Sequence, residues 1–515
     1  MTNIAFEGEL KQFTEEEEML KRGLIGGICL LLSVMNGNIL KTMLVLLTVF
    51  AFSGCAWIQP MQITHPYSAT GIQTLVTSEH PAAPAPAKQS EGPLDLPTAI
   101  EIALINNPDI AARRWEVIQA EAQKDGSQGA RWPSIRATGG YNYYYFDGQR
   151  LIPARENGEP GVFGQRITSA DLVLSMPLFT GGQITNRIEA SELFRIAAEH
   201  RLVRTREELV FNVTSVFDAI LGQEKVIDSL QFSIDVLKQQ VARIKDLISV
   251  QKGTKVDLLR TEVRLANLEQ RLLQEKNTLL IQRRVLNNLM GVKEREGPIL
   301  IEGQLTLIPL DVNTEEILPL SLSRREDYLA AKSEMEAQVR RVEVARGSRW
   351  PTLSLKGSYG ERYAPSPDPI RSKSIKPDAR GLDNPHAVGS VGLFIDIPLF
   401  EGGQIDARIR DEMAKLEAQR ERLRKLELQV RLEVETAAAN VNSIRQRIIT
   451  TEKSIEQAKE SFDIEKDKYM LGKSTITDVL DIQGALLEAQ SIYYRALADH
   501  ETAKAQLRLA TGEKL

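Results

Sequence analysis

From residue 184 to residue 250 the chain carries no proline, and its apolar positions recur at helical spacing. Leu230, Ile234, Leu237, Val241, Ile244 and Ile248 alternate steps of four and three, while Leu258, Leu265, Leu272, Leu279 and Leu286 repeat every seven. Such steps keep apolar side chains on one stripe of a helix, which is the pattern of a coiled-coil seam. Leu416, Leu423, Val430, Ala437 and Ile444 do the same nearer the C-terminus, with Arg, Glu, Lys and Gln filling the other faces. At about 1.5 Å per residue, a helix over 184–250 reaches roughly 100 Å, far more than a globular domain needs.

Four shorter stretches alternate with period two instead. After Arg131-Trp132-Pro133, one face takes Ile135, Ala137, Gly139, Tyr141, Tyr143 and Tyr145, and the other takes Arg136, Thr138 and Asn142. Ala170, Leu172, Leu174 and Met176 oppose Ser169, Asp171 and Ser175. Leu353, Leu355 and Tyr359 oppose Ser354, Lys356 and Ser358, and Val391, Leu393, Ile395 and Ile397 share a face with Asp396 behind them. This alternation predicts four strands with one apolar and one polar face. Such strands suit a transmembrane barrel, apolar side to lipid, and a soluble hairpin packed on the helices is the competing reading. Four strands cannot close a barrel, and lipid does not tolerate unpaired backbone groups, so other copies of the chain must complete the edges. Tyr143, Tyr144, Tyr145, Tyr359, Phe394 and Phe400 fall near predicted strand ends, where interfacial aromatic girdles sit. Residues 146–167 and 360–386, rich in Pro, Gly and charge, read as external loops.

These elements are written twice, about 220 residues apart, a period too long for a solenoid unit. Arg131-Trp132-Pro133-Ser134 recurs as Arg349-Trp350-Pro351-Thr352. Pro177-Leu178-Phe179-Thr180-Gly181-Gly182-Gln183-Ile184 recurs as Pro398-Leu399-Phe400-Glu401-Gly402-Gly403-Gln404-Ile405. Residues 253–259 resemble 472–480 with a small length difference, and Leu289-Met290-Gly291 falls where Ala510-Thr511-Gly512 stands. The pattern is that of a gene duplication, each half holding a helix, two strands and two long helices joined by a glycine-containing turn. Pro177 and Pro398 end the second strand of each half, because proline donates nothing to a sheet ladder. Gly181-Gly182 and Gly402-Gly403 then swing the chain into a helix. A phosphate-cradling role for these glycines fails, since no Lys or Ser/Thr follows at P-loop spacing.

Composition narrows the function classes. The 515 residues are 26% charged and only 6% aromatic, which favours extended architecture over one large core. Net charge is −5 with no basic block interleaved with aromatics, so no nucleic-acid partner is expected. His65, His80, His200, His386 and His500 are scattered, with no nucleophile elbow or metal-ligand spacing, so neither an enzyme nor a cofactor is expected. The two cysteines, Cys29 and Cys55, both lie in the apolar N-terminal region. Apolar runs at 24–34 and 43–52 are each short for a transmembrane helix. The second ends in Phe52-Ser53-Gly54-Cys55, which looks like a lipobox. With translation from Met35, Lys41 supplies the positive region, 43–50 the apolar region, and Cys55 becomes an acylated first residue. An ordinary cleaved signal is the alternative, and both readings export the chain. Residues 56–93, including Pro81-Ala82-Ala83-Pro84-Ala85-Pro86, read as an extended tether. The expected organisation is a doubtful extension plus signal peptide at 1–54, a lipid-anchored tether at 55–93, a first repeat at 94–292, a linker at 293–318 and a second repeat at 319–515.

Export, the duplicated strand pair, the Pro-Leu-Phe-x-Gly-Gly turns and heptad helices closing on Gly472-Lys473-Ser474-Thr475-Ile476-Thr477-Asp478-Val479-Leu480-Asp481 together resemble the TolC-like outer-membrane efflux protein family, over 94–512. The resemblance implies a mainly α fold with β: long antiparallel coiled-coil helices that make an α-barrel when trimeric, and four transmembrane strands per chain pooled into a shared β-barrel of about twelve. It implies a homotrimer in the outer membrane of a Gram-negative bacterium, anchored in outer-membrane lipid, with its helical tunnel in the periplasm. A periplasmic adaptor would open this exit duct of a tripartite efflux or type I secretion system, and an inner-membrane pump would power it. A periplasmic coiled-coil adaptor or structural module shares the heptads and is the competing reading, although it needs no paired amphipathic strands. The tip turns fall near 252–257 and 471–478, which places Gly253, Thr254, Tyr469, Gly472, Lys473 and Ser474 at the adaptor contact. Tyr469, Gly472, Ile476, Asp478 and Asp481 match the family's second-turn pattern. Asp478 and Asp481 share a helix face, and three copies would ring the pore with their carboxylates, raising some pKa values and binding multivalent cations. The simpler role is Asp478 as a helix N-cap and Asp481 as a first-turn residue. Better-known members carry a tip-latching arginine where this chain has Ser474, so a weaker closed state is expected unless Lys473 substitutes.

Overall fold

The structure, a computed structural model, describes residues 93–143, 149–152, 162–164, 166–251, 253–292, 300–307, 314–364 and 382–513. The chain divides into two units, Met1–Ala83 and Pro84–Leu515, and every described residue belongs to the second. The expectations for the signal segment, Cys55 and the tether lie outside the described residues, as do Tyr144, Tyr145 and Lys252. In chain order the elements are α1 (Leu96–Asn106), α2 (Pro108–Gly129), β1 (Ser134–Tyr143), β2 (Gln149–Ile152), β3 (Val162–Gly164) and β4 (Arg166–Phe179). Then come α3 (Gln183–Ser249), α4 (Lys255–Leu289), α5 (Thr314–Arg324), α6 (Glu326–Gly347), β5 (Thr352–Ala364), β6 (Leu382–Asp396), α7 (Gln404–Met470) and α8 (Ile476–Thr511).

The single leading helix expected in each half is two helices. Pro108 disfavours helical backbone at Asn107, which is extended. Its Oδ1 accepts the Asp109 and Ile110 amides at 2.8 and 3.4 Å, capping α2, while its Nδ2 donates to Leu289 O at 2.9 Å. Arg325 makes the same break before α6, extended and only 1% exposed. Its guanidinium donates to Asp327 at 3.0 and 2.6 Å, to Glu433 at 2.5 Å and to Ala510 O at 3.3 Å. At both breaks a polar side chain thus holds the C-terminal end of a long helix.

β1, β4, β5 and β6 form one antiparallel sheet in the order β1-β4-β5-β6. The registers place Ile135, Leu174, Gly357 and Val391 in one row and Ala137, Leu172, Tyr359 and Gly389 in the next. The alternation read separately on four strands therefore falls on one common apolar face. On the other face Arg362 donates to Asp171 at 2.5 Å, and the Ser358 and Ser390 hydroxyls are 3.0 Å apart. Phe394, expected among the girdle aromatics, lies on this polar face, where Lys356 Nζ is 5.2 Å from its ring. Tyr359 sits mid-strand in β5 instead of at a strand end.

The expected loops are partly strand. β4 starts at Arg166, β5 runs to Ala364 and β6 starts at Leu382, while β2 and β3 pair as a hairpin within 146–167. Gly360 is held in the sheet by ladders on both sides, and Pro385 is tolerated because β6 is an edge strand. Pro177 does not end its strand, since β4 continues to Phe179. β1 pairing stops at Ser175, so one side of Pro177 has no ladder to break, and the β4–β5 register shifts between Pro177 and Phe179. Pro398 does lie beyond the end of β6.

The glycine pairs turn the chain as expected. Gly181 and Gly182 have φ of 61° and 81°, and Gly402 and Gly403 have 61° and 82°, a left-handed pair that L side chains would strain. The helices that follow, α3 and α7, each run 67 residues. The same 221-residue step separates Gly181 from Gly402, Gln251 from Gly472 and Gly291 from Gly512, all with positive φ.

The heptad seams are the core. Leu230, Ile234, Leu237 and Ile244 of α3 are at most 1% exposed and pack with Leu268 and Leu272 of α4 and Ile476, Leu480 and Leu487 of α8. Val430, Val434, Ala437 and Val441 of α7 pack against Ala503, Leu507 and Ala510 of α8. Each such aliphatic contributes about 1.5–3 kcal/mol when fully buried. α3 also buries Asp218 against α8, and this burial, with Glu501 nearby and Lys504 partly offsetting it, pushes the carboxyl up to about 7. His500 on α8 is fully buried with neither ring nitrogen hydrogen-bonded, Glu501 standing 3.6 Å from Nδ1, and burial pushes its pKa down.

A carboxyl with a raised pKa in the folded state favours folding at low pH, and this advantage is lost as pH rises through about 7. Asp218→Asn is expected to stabilise the protein at pH 8 by on the order of 3 kcal/mol, with the gain shrinking toward pH 4. Thermal unfolding of both proteins across this range checks it, and a pH-independent difference would contradict the burial argument.

Candidate functional site at the helical tip

The two long hairpins end in turns built alike. α3 gives way to α4 between Ser249 and Lys255, and α7 to α8 between Met470 and Ile476. Among the described residues each turn enters the left-handed region at one position, Gln251 (φ 61°) and Gly472 (φ 71°). Thr254 and Thr475 then cap the following helix, their hydroxyls accepting the Asp257 and Asp478 amides at 3.1 and 3.3 Å. Gly472 therefore corresponds to Gln251, not Gly253, and the length difference expected between the turns is absent. Gly253 answers a different need, since a Cβ there would stand 3.0 Å from Ile248 Cγ1.

Asp478 is not the helix N-cap. Thr475 holds that position, and Asp478, three residues on, turns its carboxylate back to accept from Thr475 N at 3.0 Å and Thr475 Oγ1 at 2.6 Å. These bonds from Thr475 hold its pKa below the ordinary carboxylate value. Within one chain the shift is thus opposite to the rise expected of a crowded ring. Ser474 donates to Glu465 at 2.7 Å and to Asp478 at 3.2 Å, joining the end of α7 to the start of α8. The Glu465 pKa is lowered, first by Lys468 at 2.6 Å and then by Ser474. Asp481 lies exposed one turn further on. With Lys473, Ser474 and Asp478 it lines an open basin of about 590 Å³. Tyr469 packs against the α3–α4–α8 core, where burial, and then Asp257, push its phenol up. The swivels Gly181, Gly182, Gly402 and Gly403 are remote in sequence from this cluster and act in the strand-to-helix turns.

A row of arginines across α4 and α8 escaped the sequence reading. Arg260 donates to Thr477 Oγ1 at 2.9 Å, beside Asp478, and the Arg264 guanidinium covers Gly484, where a Cβ would lie 2.4 Å from Nη2. Higher up, Arg271 meets Glu488 at 3.6 Å and Arg495 meets Glu275 at 2.8 Å. Where Ser474 leaves the expected arginine missing, Arg260 brings a guanidinium to the same tip from the other hairpin. Nothing in the linear sequence sets α4 beside α8, so no local signal could have found it. Among the described residues no group of three or more His, Cys, Asp or Glu is placed to hold a metal, and no helix is long and apolar enough to cross a membrane.

Comparison with known proteins agrees with this architecture. The sequence model of the outer membrane efflux protein family matches residues 99–292 and 317–513. The pyoverdine export outer membrane protein OpmQ of Pseudomonas aeruginosa is 23% identical over 431 residues, covering 81% of this chain and 83% of its own length. The proteases secretion protein PrtF of Dickeya chrysanthemi is 24% identical over 342 residues, covering 64% of this chain and 68% of its own. The structure of the outer-membrane channel OprN superposes with a TM-score of 0.68 at 21% identity, over 81% of this chain and 90% of that one. A family match spanning both strand-and-hairpin stretches, on a fold shared with a solved channel, establishes that this chain belongs to the outer membrane efflux protein family and is an outer-membrane efflux channel.

Proposed function

We propose that this channel is the passive exit duct of a tripartite efflux or type I secretion system, working as a homotrimer that a periplasmic adaptor opens and an inner-membrane pump powers. The observation that carries this reading is the four-stranded sheet, apolar on one face and polar on the other, with β1 and β6 as open edges. In lipid such edges must be paired, and three copies supply about twelve strands for one barrel, apolar face outward. Duplication of one strand-and-hairpin unit accounts for the matching turns and equal helix lengths. Through the glycine swivels each strand pair continues into helices of about 100 Å, enough to form a periplasmic tunnel. Relatives named for pyoverdine export and for protease secretion suggest that this duct passes cargo chosen by the pump. Acylation of Cys55 would anchor the chain in outer-membrane lipid.

The adaptor meets the tip turns at Gly253, Thr254, Tyr469, Gly472, Lys473 and Ser474. Apolar side chains exposed around them, Val250, Val256, Leu259, Met470 and Leu471, favour a protein partner there. Asp478 and Asp481 face open solvent in one chain, and their carboxylates from three copies would form the pore constriction. Asp478 serves both as the inner member of a capping box and as a ring carboxylate, since its second oxygen remains available.

Purified protein in planar bilayers is expected to give discrete conductance that a trivalent cation blocks, with block lost in the Asp478→Ala/Asp481→Ala variant. Block unchanged in that variant would move the constriction elsewhere, and a soluble monomer without conductance would favour the coiled-coil adaptor reading. Ser474→Arg is expected to lower open probability in the same recording, and unchanged gating would refute a latch at that position. Mass spectrometry of the mature N-terminus should find a diacylglyceryl adduct on Cys55; an unmodified residue removes the anchor and leaves the duct untouched.

A further inference from the structure

We propose that Arg136 and Lys356 make the outer end of this duct an anion-preferring exit, so that the cargo it passes most readily there is an anionic solute. The inference rests on the exit-duct reading and names the charge class of its cargo. It concerns the polar face of the sheet, which that reading turns toward water. Within 134–143, 167–179, 352–363 and 387–396 the registers place Arg136, Asp171, Lys356, Arg362 and Asp396 on this face. Glu361 falls in the row of Gly139, Ala170 and Ala387, on the other face.

These charges are not equivalent. Arg362 donates to Asp171 at 2.5 Å and both are half-buried, so this pair adds no net charge to the lumen. Arg136 and Lys356 are exposed, and among the described residues neither forms an ion pair with a carboxylate. Lys356 instead holds its Nζ 5.2 Å from the Phe394 ring, which steadies the cation without cancelling its charge. Asp396 pairs with Thr352, four residues along β5 from Lys356, which sets it about 13 Å further along the sheet at roughly 3.4 Å per residue. The residues paired around the two cations are small, Ser134, Ser175, Ser358, Ser390 and Gly392 among them, so the guanidinium and the ammonium stand out from the wall.

Screening decides whether such charges reach a passing solute. About twelve strands roughly 4.8 Å apart and tilted about 40° close a wall roughly 12 Å from its axis, and the Debye length at physiological salt is about 8 Å. Arg and Lys carry their charge well inside that wall, so their field spans the lumen, whereas Asp396 lies more than a Debye length from Lys356 and does not cancel it. Three copies place each cation in a ring, and rings of Arg or Lys are a device by which pores favour anions. The carboxylates of Asp478 and Asp481 at the tip have the opposite sign, so the two ends of the duct select independently.

Removing the tip carboxylates isolates the exit for measurement. In planar bilayers under a KCl gradient, adding Arg136→Gln/Lys356→Gln to the Asp478→Ala/Asp481→Ala protein is expected to lower the chloride-to-potassium permeability ratio several-fold. Arg136→Lys/Lys356→Arg in the same background keeps both charges and should retain the ratio. Asp171→Asn/Arg362→Gln, which removes a neutral pair from the same face, should retain it too. Discrete conductance with a ratio unchanged by Arg136→Gln/Lys356→Gln, or lowered as much by Asp171→Asn/Arg362→Gln, overturns the cationic exit and spares the duct. A wild-type protein without discrete conductance overturns the duct reading and the cationic exit with it.

Discussion

A strand that faces hydrocarbon must pair its backbone N–H and C=O groups within protein, because no water is present to take their place. In the proposed barrel that requirement falls on four strands whose apolar side chains share one face and whose two outer strands pair on one side only. The rest of the architecture follows from satisfying it. In the proposed assembly the strands set the number of copies that must meet, and the helices have to leave the sheet at a spacing the assembled copies can match. The glycine pairs at 181–182 and 402–403 serve that second need. Their left-handed backbone sends two helices of equal length from neighbouring points of one sheet. Equal length then brings both tip turns to corresponding ends, where a threonine hydroxyl accepts the amide of the aspartate three residues on.

Positive-φ turns recur at a 221-residue step, while the side chains at matching positions differ in chemistry. Asn107 caps a helix and holds Leu289 O, whereas Arg325 in the matching break is a buried cation satisfied by Asp327 and Glu433. Such a cation needs its partners, because an unpaired buried charge costs several kcal/mol. The first tip turn places Gln251 where the second has Gly472, accepting strain for a longer polar side chain. Arg260 stands where the other hairpin has Asp481, so the two hairpins bring opposite charges to corresponding helix faces. One hairpin therefore supplies the carboxylates and the other a guanidinium that reaches across to the same turn.

The polar groups within the helical seams are unevenly satisfied. Gln483 donates to Ser233 O at 3.2 Å, and Gln223 donates to the Glu275 side chain at 2.7 Å, which ties neighbouring helices together inside the core. At Asp218 and His500 burial outweighs the nearby Lys504 and Glu501 charges and moves the pKa values in opposite directions, up and down. Both shifts favour the neutral forms near neutral pH, where the α3–α8 seam carries least buried charge.

Local periodicity determined most of this fold from sequence. The steps of three, four and seven identified the buried seams at Leu230, Ile234, Leu237, Leu272 and Val430, and alternation placed Ile135, Leu172, Leu355 and Val391 on a common strand face. The doubled Pro-Leu-Phe-x-Gly-Gly marked both swivels, because positive φ leaves glycine as the ready choice. Features that depend on a neighbour were decided only by the tertiary structure. Pro177 stays within β4 because β1 ends beside it, and Gly472 aligns with Gln251 through the turn geometry. Arg260 meets Thr477, 217 positions away, only because two hairpins lie side by side. A repeat period is written into neighbouring residues and survives as sequence, whereas a contact between distant segments exists only once packing has set their distance and register.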